Sequence, residues 1–170
     1  HVSDGGGNAK MELEFDTEEA KTDIFNVTPY HGKFNISGAK LIAGGMPSRS
    51  VILYRLSKLG QGRMPLLGST QVDEQASKMF RSWIRSRPTA EENADKKSDS
   101  TEAIPVDQLS QATKSENAAE RTLAIEKLLS SVNGAMVALI AIDEASLPVT
   151  LRTELIAAGT THGDPLVRDL

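Results

Sequence analysis

The most regular alternation of apolar and polar residues in the chain lies over residues 70–86. Apolar side chains recur there at the spacing of one helix face. They are Val72, Ala76, Met79, Phe80, Trp83 and Ile84. The first turn carries Asp73 and Glu74 and the last turn carries arginines, an order that suits the helix dipole. The pattern predicts an amphipathic helix over this segment.

Five further segments show helical spacing or helix-end residues. They cover residues 48–59, 118–132, 134–145, 148–159 and 163–170. Ser48 or Ser50 is the expected cap of the first of these, and Gly60 ends it. Asp164 is the expected cap of the last, with Pro165 at its first helical position. Segment 134–145 is the most apolar, so we expect it to be the buried helix.

The remaining segments carry weaker patterns. Residues 1–39 indicate loops with short extended pieces, and "KMELEFD" at residues 10–16 alternates in the manner of a strand. Residues 87–118 are polar and poor in bulky apolar groups, which predicts a flexible linker with one short helix near "VDQLSQAT". The chain is therefore predicted to be mainly α, with a linker between a first unit and a small helical bundle.

Charge is unevenly distributed along the chain. The formal net charge is −4 and the sequence pI is about 5.4, which argues against nucleic acid as the partner. Residues 40–85 nevertheless hold 8 basic and 2 acidic residues. This excess predicts a basic face around the sequence "GRMP". A solvated surface and a docking patch for an acidic partner are both consistent with it.

Two absences restrict the chemistry and the location. The chain contains no cysteine, which excludes a disulfide framework, a thiol nucleophile and a cysteine metal site. Its longest apolar run, "AMVALIAI", is much shorter than the ~20 residues of a membrane span, and no signal peptide is visible. Because the first residue is His rather than Met, we expect the chain to be a piece of a longer protein.

Met64 stands before a proline in the glycine-rich stretch "GQGRMPLLGS". A thioether is a soft neutral donor, and haem iron is one of the few biological partners that bind it. Pro65 prevents a helix from continuing through the site. Gly60, Gly62 and Gly68 allow the backbone to approach a flat macrocycle. Met64 is therefore a candidate axial ligand, and a loop methionine that fills a packing gap is the other interpretation.

An axial methionine requires a histidine on the opposite haem face. The chain has three histidines, at positions 1, 31 and 162. His1 precedes Met64 by 63 residues and is followed by a glycine-rich loop, as the residue that ends a haem attachment motif would be. We expect His31 to be an exposed turn residue and His162 to be a solvated residue before a helix cap.

Residues 1–86 resemble the part of a c-type cytochrome domain that follows the Cys-x-x-Cys of its haem attachment motif. The stretches that carry the resemblance are "GAKLIAGGMPSRSVILYR" and "RMPLLGSTQVDEQASKMFRSWI". They are similar to the haem-binding multidomain proteins of planctomycetes and their verrucomicrobial relatives. The later "LLSSVNGAMVAL" and "GDPLVRDL" resemble the helical spacer that such proteins carry before a further haem domain.

The resemblance implies a class I cytochrome c-like remnant over 1–86, made of loops, two helices and short strands. It would lack the helix that normally precedes the motif. A linker over 87–118 and a helical spacer module over 119–170 would follow. His1 matches the proximal ligand and Met64 the distal ligand.

The resemblance also extends to the residues around the distal ligand. Pro65, Leu67 and Gly68 match the distal loop. Arg63, and Arg55 with it, are candidates for pairing with haem propionates, with plain surface charge as the alternative.

Two departures from the family pattern affect these expectations. No cysteine precedes His1, so the chain as it stands cannot form thioether bonds, and haem c is expected to be incomplete or absent in it. The stretch "AGGMPSRS" lacks the Pro and Asp that the family usually has near Gly45 and Met46. Met46, which also precedes a proline, is therefore a rival iron ligand.

The resemblance implies a fragment of a c-type cytochrome that transfers one electron through a His/Met-ligated haem. It implies a periplasmic or other extracytoplasmic location, and a redox partner protein or a fused dehydrogenase domain. This piece would carry electrons rather than catalyse a reaction, because no nucleophile and base occur together. The alternative is a non-catalytic two-part binding or spacer module with no cofactor.

Overall fold

The computed structural model describes residue 9 and residues 11–67, 70–89, 103–115 and 117–170. Within these residues the fold is mainly helical, which confirms the predicted class at that level. The helices are α1 (Val51–Leu56), α2 (Glu74–Arg85), α3 (Ala103–Lys114), α4 (Ala118–Leu129), α5 (Val132–Asp143), α6 (Val149–Thr160) and α7 (Pro165–Arg168). Two short 3-10 helices, Glu19–Lys21 and Pro47–Arg49, precede α1.

Side-chain caps explain where several helices begin. The Asp73 carboxylate accepts a hydrogen bond from the amide of Ala76 at 2.9 Å, and Asp164 caps α7 in the same way, with Pro165 in its first turn. The cap at Asp164 was predicted, whereas Asp73 was expected in the first turn of its helix and is instead the capping residue before it. Ser50 stands at the start of α1 without capping it, because its hydroxyl accepts from the amide of Ala43 instead. Pro148 is the residue before α6 rather than its first helical residue.

The strand predicted over residues 10–16 is not present in residues 11–16. Met11 is buried, but Leu13 is 58% exposed and Phe15 is fully exposed. A strand needs a neighbouring strand along its length. Within the described residues 11–16, the amide of Glu12 donates to the carbonyl of Thr22, which ends the 3-10 helix Glu19–Lys21 and is not part of a strand. Among the described residues, only isolated bridges occur, Phe25 with Ile42 and Lys40 with Ser50.

The irregular segment before α1 is organised around residues 40–42. On one side, the amide of Ile42 donates to Ile24 and the amide of Asn26 donates back to Ile42. On the other side, the amide of Lys40 donates to the carbonyl of Arg49 at 3.0 Å. These bonds hold residues 24–26 and 40–42 side by side and tie them to the end of the 3-10 helix Pro47–Arg49, so these backbone groups are paired without a regular sheet.

Segment 87–118, which was predicted to be a linker, contains α3. This helix includes the "VDQLSQAT" stretch in which a short helix was expected, and it packs against α4 and α5. Ala112 on its inner face is fully buried. Residues 90–102 lie outside the described residues.

A single hydrophobic core runs through both parts of the described chain. Leu53 and Ile84 contribute to it from α1 and α2, and Leu128 and Met136 contribute from α4 and α5. Helix α5 touches α3, α4, α6, α7 and the 3-10 helix Pro47–Arg49. The predicted burial of segment 134–145 is therefore confirmed, and the carboxyl-terminal helices pack directly on the first region.

Polar contacts also join the two parts. The Asn133 side chain accepts from the amide of Ser37 at 2.8 Å and donates to the carbonyl of Ser37 at 3.3 Å. The buried Arg81 guanidinium donates to the Asp143 carboxylate at 3.0 Å. These contacts fix the position of α5 relative to the described part of residues 1–86.

No single helix in the described residues is both long and apolar enough to cross a bilayer. The pair α4 and α5 meets the length and composition criteria only together, and the two helices are bent by 117° at the break between them.

Candidate functional site

Residues 60–67, called here the methionine loop, leave the end of α1 through two left-handed turns. Gly60 has a φ of 70° and Gly62 a φ of 83°, a region that favours glycine. The amide of Arg63 donates to the carbonyl of Gly60 at 3.4 Å. The glycines at these two positions are therefore required by the backbone path of the loop.

Arg55, in the last turn of α1, is bonded to the methionine loop twice. Its main-chain carbonyl accepts from the amide of Met64 at 2.8 Å. Its guanidinium Nε donates to the carbonyl of Gly62, also at 2.8 Å. Sequence reasoning considered this arginine for haem propionates or surface charge and missed its contact with the loop, since no pattern in the sequence indicates which carbonyl a side chain will reach.

The Phe34 ring packs on the inner side of the loop. A Cβ at Gly62 would lie 2.6 Å from the Phe34 ring, and the ring centroids of Phe34 and Tyr54 are 5.1 Å apart. Phe34 has a φ of 51°, which is strained for a bulky residue. The ring therefore closes one side of the loop against the core, and only glycine fits opposite it.

The other side of the methionine loop presents apolar side chains to solvent. Leu66 is 64% exposed and Leu67 is 83% exposed, and Pro65 is exposed beside them. Met64 itself is half-buried. Gly68, the last residue predicted for this site, lies outside the described residues. The loop thus combines a sulfur donor with an exposed apolar surface.

The other four methionines of the chain have different surroundings. Met11 and Met136 are buried in the core, and Met79 is 71% exposed on α2. The sulfur of Met46, the rival ligand, accepts a hydrogen bond from Arg49 Nη1 at 3.3 Å. Met46 also follows glycines, so the two differ in that Met64 lies beside exposed apolar side chains, and which of them would bind iron stays a prediction.

The histidines are placed as follows. His31 is exposed, as predicted. His162 is half-buried, and its Nδ1 accepts from the amide of Asp164 at 3.2 Å, so it contributes to the turn before α7 rather than being simply solvated. His1, the predicted proximal ligand, lies outside the described residues, and its distance to Met64 stays a prediction.

The expected basic face around the loop is smaller than the residue count suggested. Arg49, Lys58 and Arg81 all belong to the basic segment, and all three are buried. Burial lowers the pKa of Lys58, against the opposing effect of Asp169 and then Asp164. Arg55 and Arg63 are half-buried. Several of the excess basic side chains therefore lie inside the protein, and the others form a smaller basic surface.

Tyr54 and Lys58 link α1 to the end of the chain. The Tyr54 hydroxyl donates to the carbonyl of Leu166 at 2.8 Å, and Lys58 Nζ lies 3.9 Å from the Asp169 carboxylate. Burial, and next the charges of Asp164 and Asp169, raise the pKa of Tyr54 above its usual value. The amide of Leu59 also donates to the carbonyl of Asp169. The segment that leads into the methionine loop is thus anchored on α7.

The residue types of the methionine loop are compatible with one face of a haem, and haem binding itself stays a prediction. Met64 supplies a donor that haem iron accepts. Leu66 and Leu67 supply an apolar surface of the kind a porphyrin covers. The described ranges contain no group of three or more His, Asp or Glu side chains that could hold a bare metal ion. The fit of the second face depends on His1.

An apolar cavity of about 250 Å³ is lined by residues other than those of the methionine loop. Its walls come from α4 to α7 and the residues that follow α7. Ile142, Leu155 and Leu170 are among the side chains that line it.

Comparison of the chain with protein-family models, curated proteins and solved structures finds no match.

Proposed function

We propose that the chain is part of a c-type cytochrome and transfers single electrons through a haem held between His1 and Met64. The observation that carries the proposal is the half-buried Met64 on a loop whose outer side exposes Leu66 and Leu67. The resemblance of residues 1–86 to c-type cytochrome domains supports it. Bound haem supplies a one-electron iron couple, and the chain supplies its ligands and an apolar wall.

Each residue has a defined task in this proposal. His1 and Met64 would hold the iron, and a His/Met pair raises the reduction potential of haem. Leu66 and Leu67 would exclude water from it. Arg63 is the remaining candidate for a propionate, since a guanidinium suits a carboxylate. A periplasmic location and a redox partner or fused dehydrogenase domain belong to the same proposal.

The test uses the full chain with Cys-Ala-Ala-Cys placed before His1, made in cells that attach haem covalently. The proposal predicts a visible absorption spectrum of covalently bound, six-coordinate haem. His1→Ala should abolish that spectrum, and the matched control His31→Ala should leave it unchanged. A chain that emerges folded but without haem would contradict the proposal.

The second candidate is a non-catalytic binding or spacer module. The apolar cavity bounded by α4 to α7 favours it, because small-molecule and peptide sites are concave and largely apolar. The same experiment separates the two functions. A folded chain that takes up no haem favours the binding module, and haem uptake that depends on His1 favours the cytochrome.

A further inference from the structure

We infer that Arg55 is the positioning residue of the methionine loop, an inference that rests on the proposed cytochrome function. The arginine is bonded at both ends of a three-residue segment. Its guanidinium binds the carbonyl of Gly62 and its main-chain carbonyl binds the amide of Met64, each at 2.8 Å. One residue of α1 therefore determines where the Met64 backbone stands.

The position of Arg55 is itself fixed. The preceding residue, Tyr54, is fully buried, and its hydroxyl is bonded to the carbonyl of Leu166 on α7. Three residues after Arg55, Lys58 is buried and bonded to the same hydroxyl at 3.3 Å. Helix α1 is only six residues long, so these anchors hold the turn that carries Arg55. The methionine loop is thus bonded to a rigid part of the core.

The hydrogen bond from Arg55 to Gly62 is charge-assisted, and such bonds are shorter and stronger than neutral ones. The acceptor, Gly62, has a φ of 83°. Without this hydrogen bond, the loop would open locally at this turn at a small cost in free energy. Losing this side-chain bond frees the Gly62 carbonyl and so weakens the hold on Met64, whose amide keeps its hydrogen bond to the main-chain carbonyl of position 55. Arg55 acts through the backbone and does not touch the iron.

The first readout needs no haem and uses the full 170-residue chain. In Arg55→Met, amide hydrogen exchange at Arg63 and Met64 should accelerate about tenfold or more, as expected for the loss of one charge-assisted bond. Exchange at Ala138 in α5 should stay at the native rate. Lys127→Met, an exposed residue on α4, removes the same charge and is the matched control. Native exchange at Met64 in Arg55→Met would overturn the inference.

The second readout uses the chain with covalently attached haem. In Arg55→Met, the long-wavelength band of iron–sulfur coordination should disappear at a lower pH than in the native chain, because a loosened ligand is displaced more easily. Arg55→Lys keeps the charge without the planar fork and should show a smaller shift in the same direction. An unchanged pH profile in both variants would overturn the positioning role, even with faster exchange.

The two possible failures are distinguishable. A native chain without the iron–sulfur band overturns the proposed function, and this inference with it. A native chain with the band, together with Arg55 variants that keep it over the full pH range, overturns the inference alone. If Arg55→Met loses its helical circular dichroism, Arg55→Lys decides the question by the same two readouts.

Discussion

The segment before α1 and the helices after α3 hold their shapes in different ways. Helices α4, α5 and α7 each begin at a side chain that bonds a first-turn amide, and then bury aliphatic faces. The earlier segment is held by hydrogen bonds between short extended pieces. Among the described residues, four of the five non-glycine residues with positive φ lie there: Asp23, Asn26, Phe34 and Asn35.

The two regions therefore contribute differently to the structure. Left-handed residues and glycines allow a loop to present a side chain such as Met64 without a regular element behind it. Repetitive helices make a stable support, and α5 touches both regions. The methionine loop after α1 has left-handed residues of its own, Gly60 and Gly62, and the carbonyl of Asp169 at the end of α7 accepts from the amide of Leu59 directly before it.

The largest effect should come from the buried methionine of the helical region. Met136 is fully buried, so Met136→Ala should lower the free energy of unfolding by about 3 kcal/mol, since it leaves a cavity. Met64→Ala should lower the free energy of unfolding by about 1 kcal/mol or less, because the Met64 side chain is only half-buried. Urea unfolding measures both variants. Equal losses would mean that Met64 is an ordinary core residue.

The ion pair between α2 and α5 should give the next largest effect. Asp143→Ala removes the carboxylate that lies 3.0 Å from Arg81 and leaves the buried guanidinium with the Glu144 carboxylate, 3.5 Å from its Nε. The free energy of unfolding should fall by about 2–3 kcal/mol. Glu126→Ala, an exposed position on α4, is the control and should change stability by less than about 0.5 kcal/mol. If Asp143→Ala behaves like the control in urea unfolding, the ion pair does not hold α2 against α5.

Two glycines should respond to alanine in opposite directions. Gly62→Ala places a Cβ against Phe34 at a positive φ and should destabilise by about 1–2 kcal/mol. Gly159→Ala, in α6 with no atom near its added Cβ, should stabilise by about 0.5–1 kcal/mol. Thermal unfolding followed by circular dichroism compares them. A stabilising Gly62→Ala would show that the loop does not need its left-handed turn.

The smallest effect concerns pH. The folded state lowers the pKa of Lys58 from 10.5, so it releases this proton more readily than the unfolded state does. Relative to Lys58→Met, the stability of the native chain should therefore rise with pH as the pH approaches 10. Urea midpoints at about pH 7 and about pH 9.5 measure the trend. Parallel curves for the two chains would contradict a lowered pKa.

Sequence patterns predicted the helices better than they predicted the surfaces those helices bury. The cap at Asp164 was predicted from the sequence, because a short polar side chain followed by proline is a local signal for the start of a helix. In α2, however, the buried positions are Ser77, Arg81 and Ile84, and Met79 faces solvent. An arginine is buried only because Asp143 meets it from a distant helix, and no local pattern contains that partner.

The candidate site was only partly predictable. The loop and its glycines follow from residue types with known backbone preferences. The role of Arg55 and the packing of Phe34 on Gly62 depend on tertiary contacts between segments far apart in the chain. The strand expected at residues 10–16 was wrong over its described part, because alternation without a neighbouring strand does not create a sheet.

The most direct test of the account is the midpoint reduction potential of the chain with covalently attached haem. Met64→Ala should lower it on the order of 0.1 V, a fraction of the ~0.8 V range over which axial ligands set haem potentials. Met46→Ala should leave it at the native value, because the sulfur of Met46 is bonded to Arg49. A native potential in Met64→Ala, or a fall in Met46→Ala instead, would contradict the assignment of Met64 as the iron ligand.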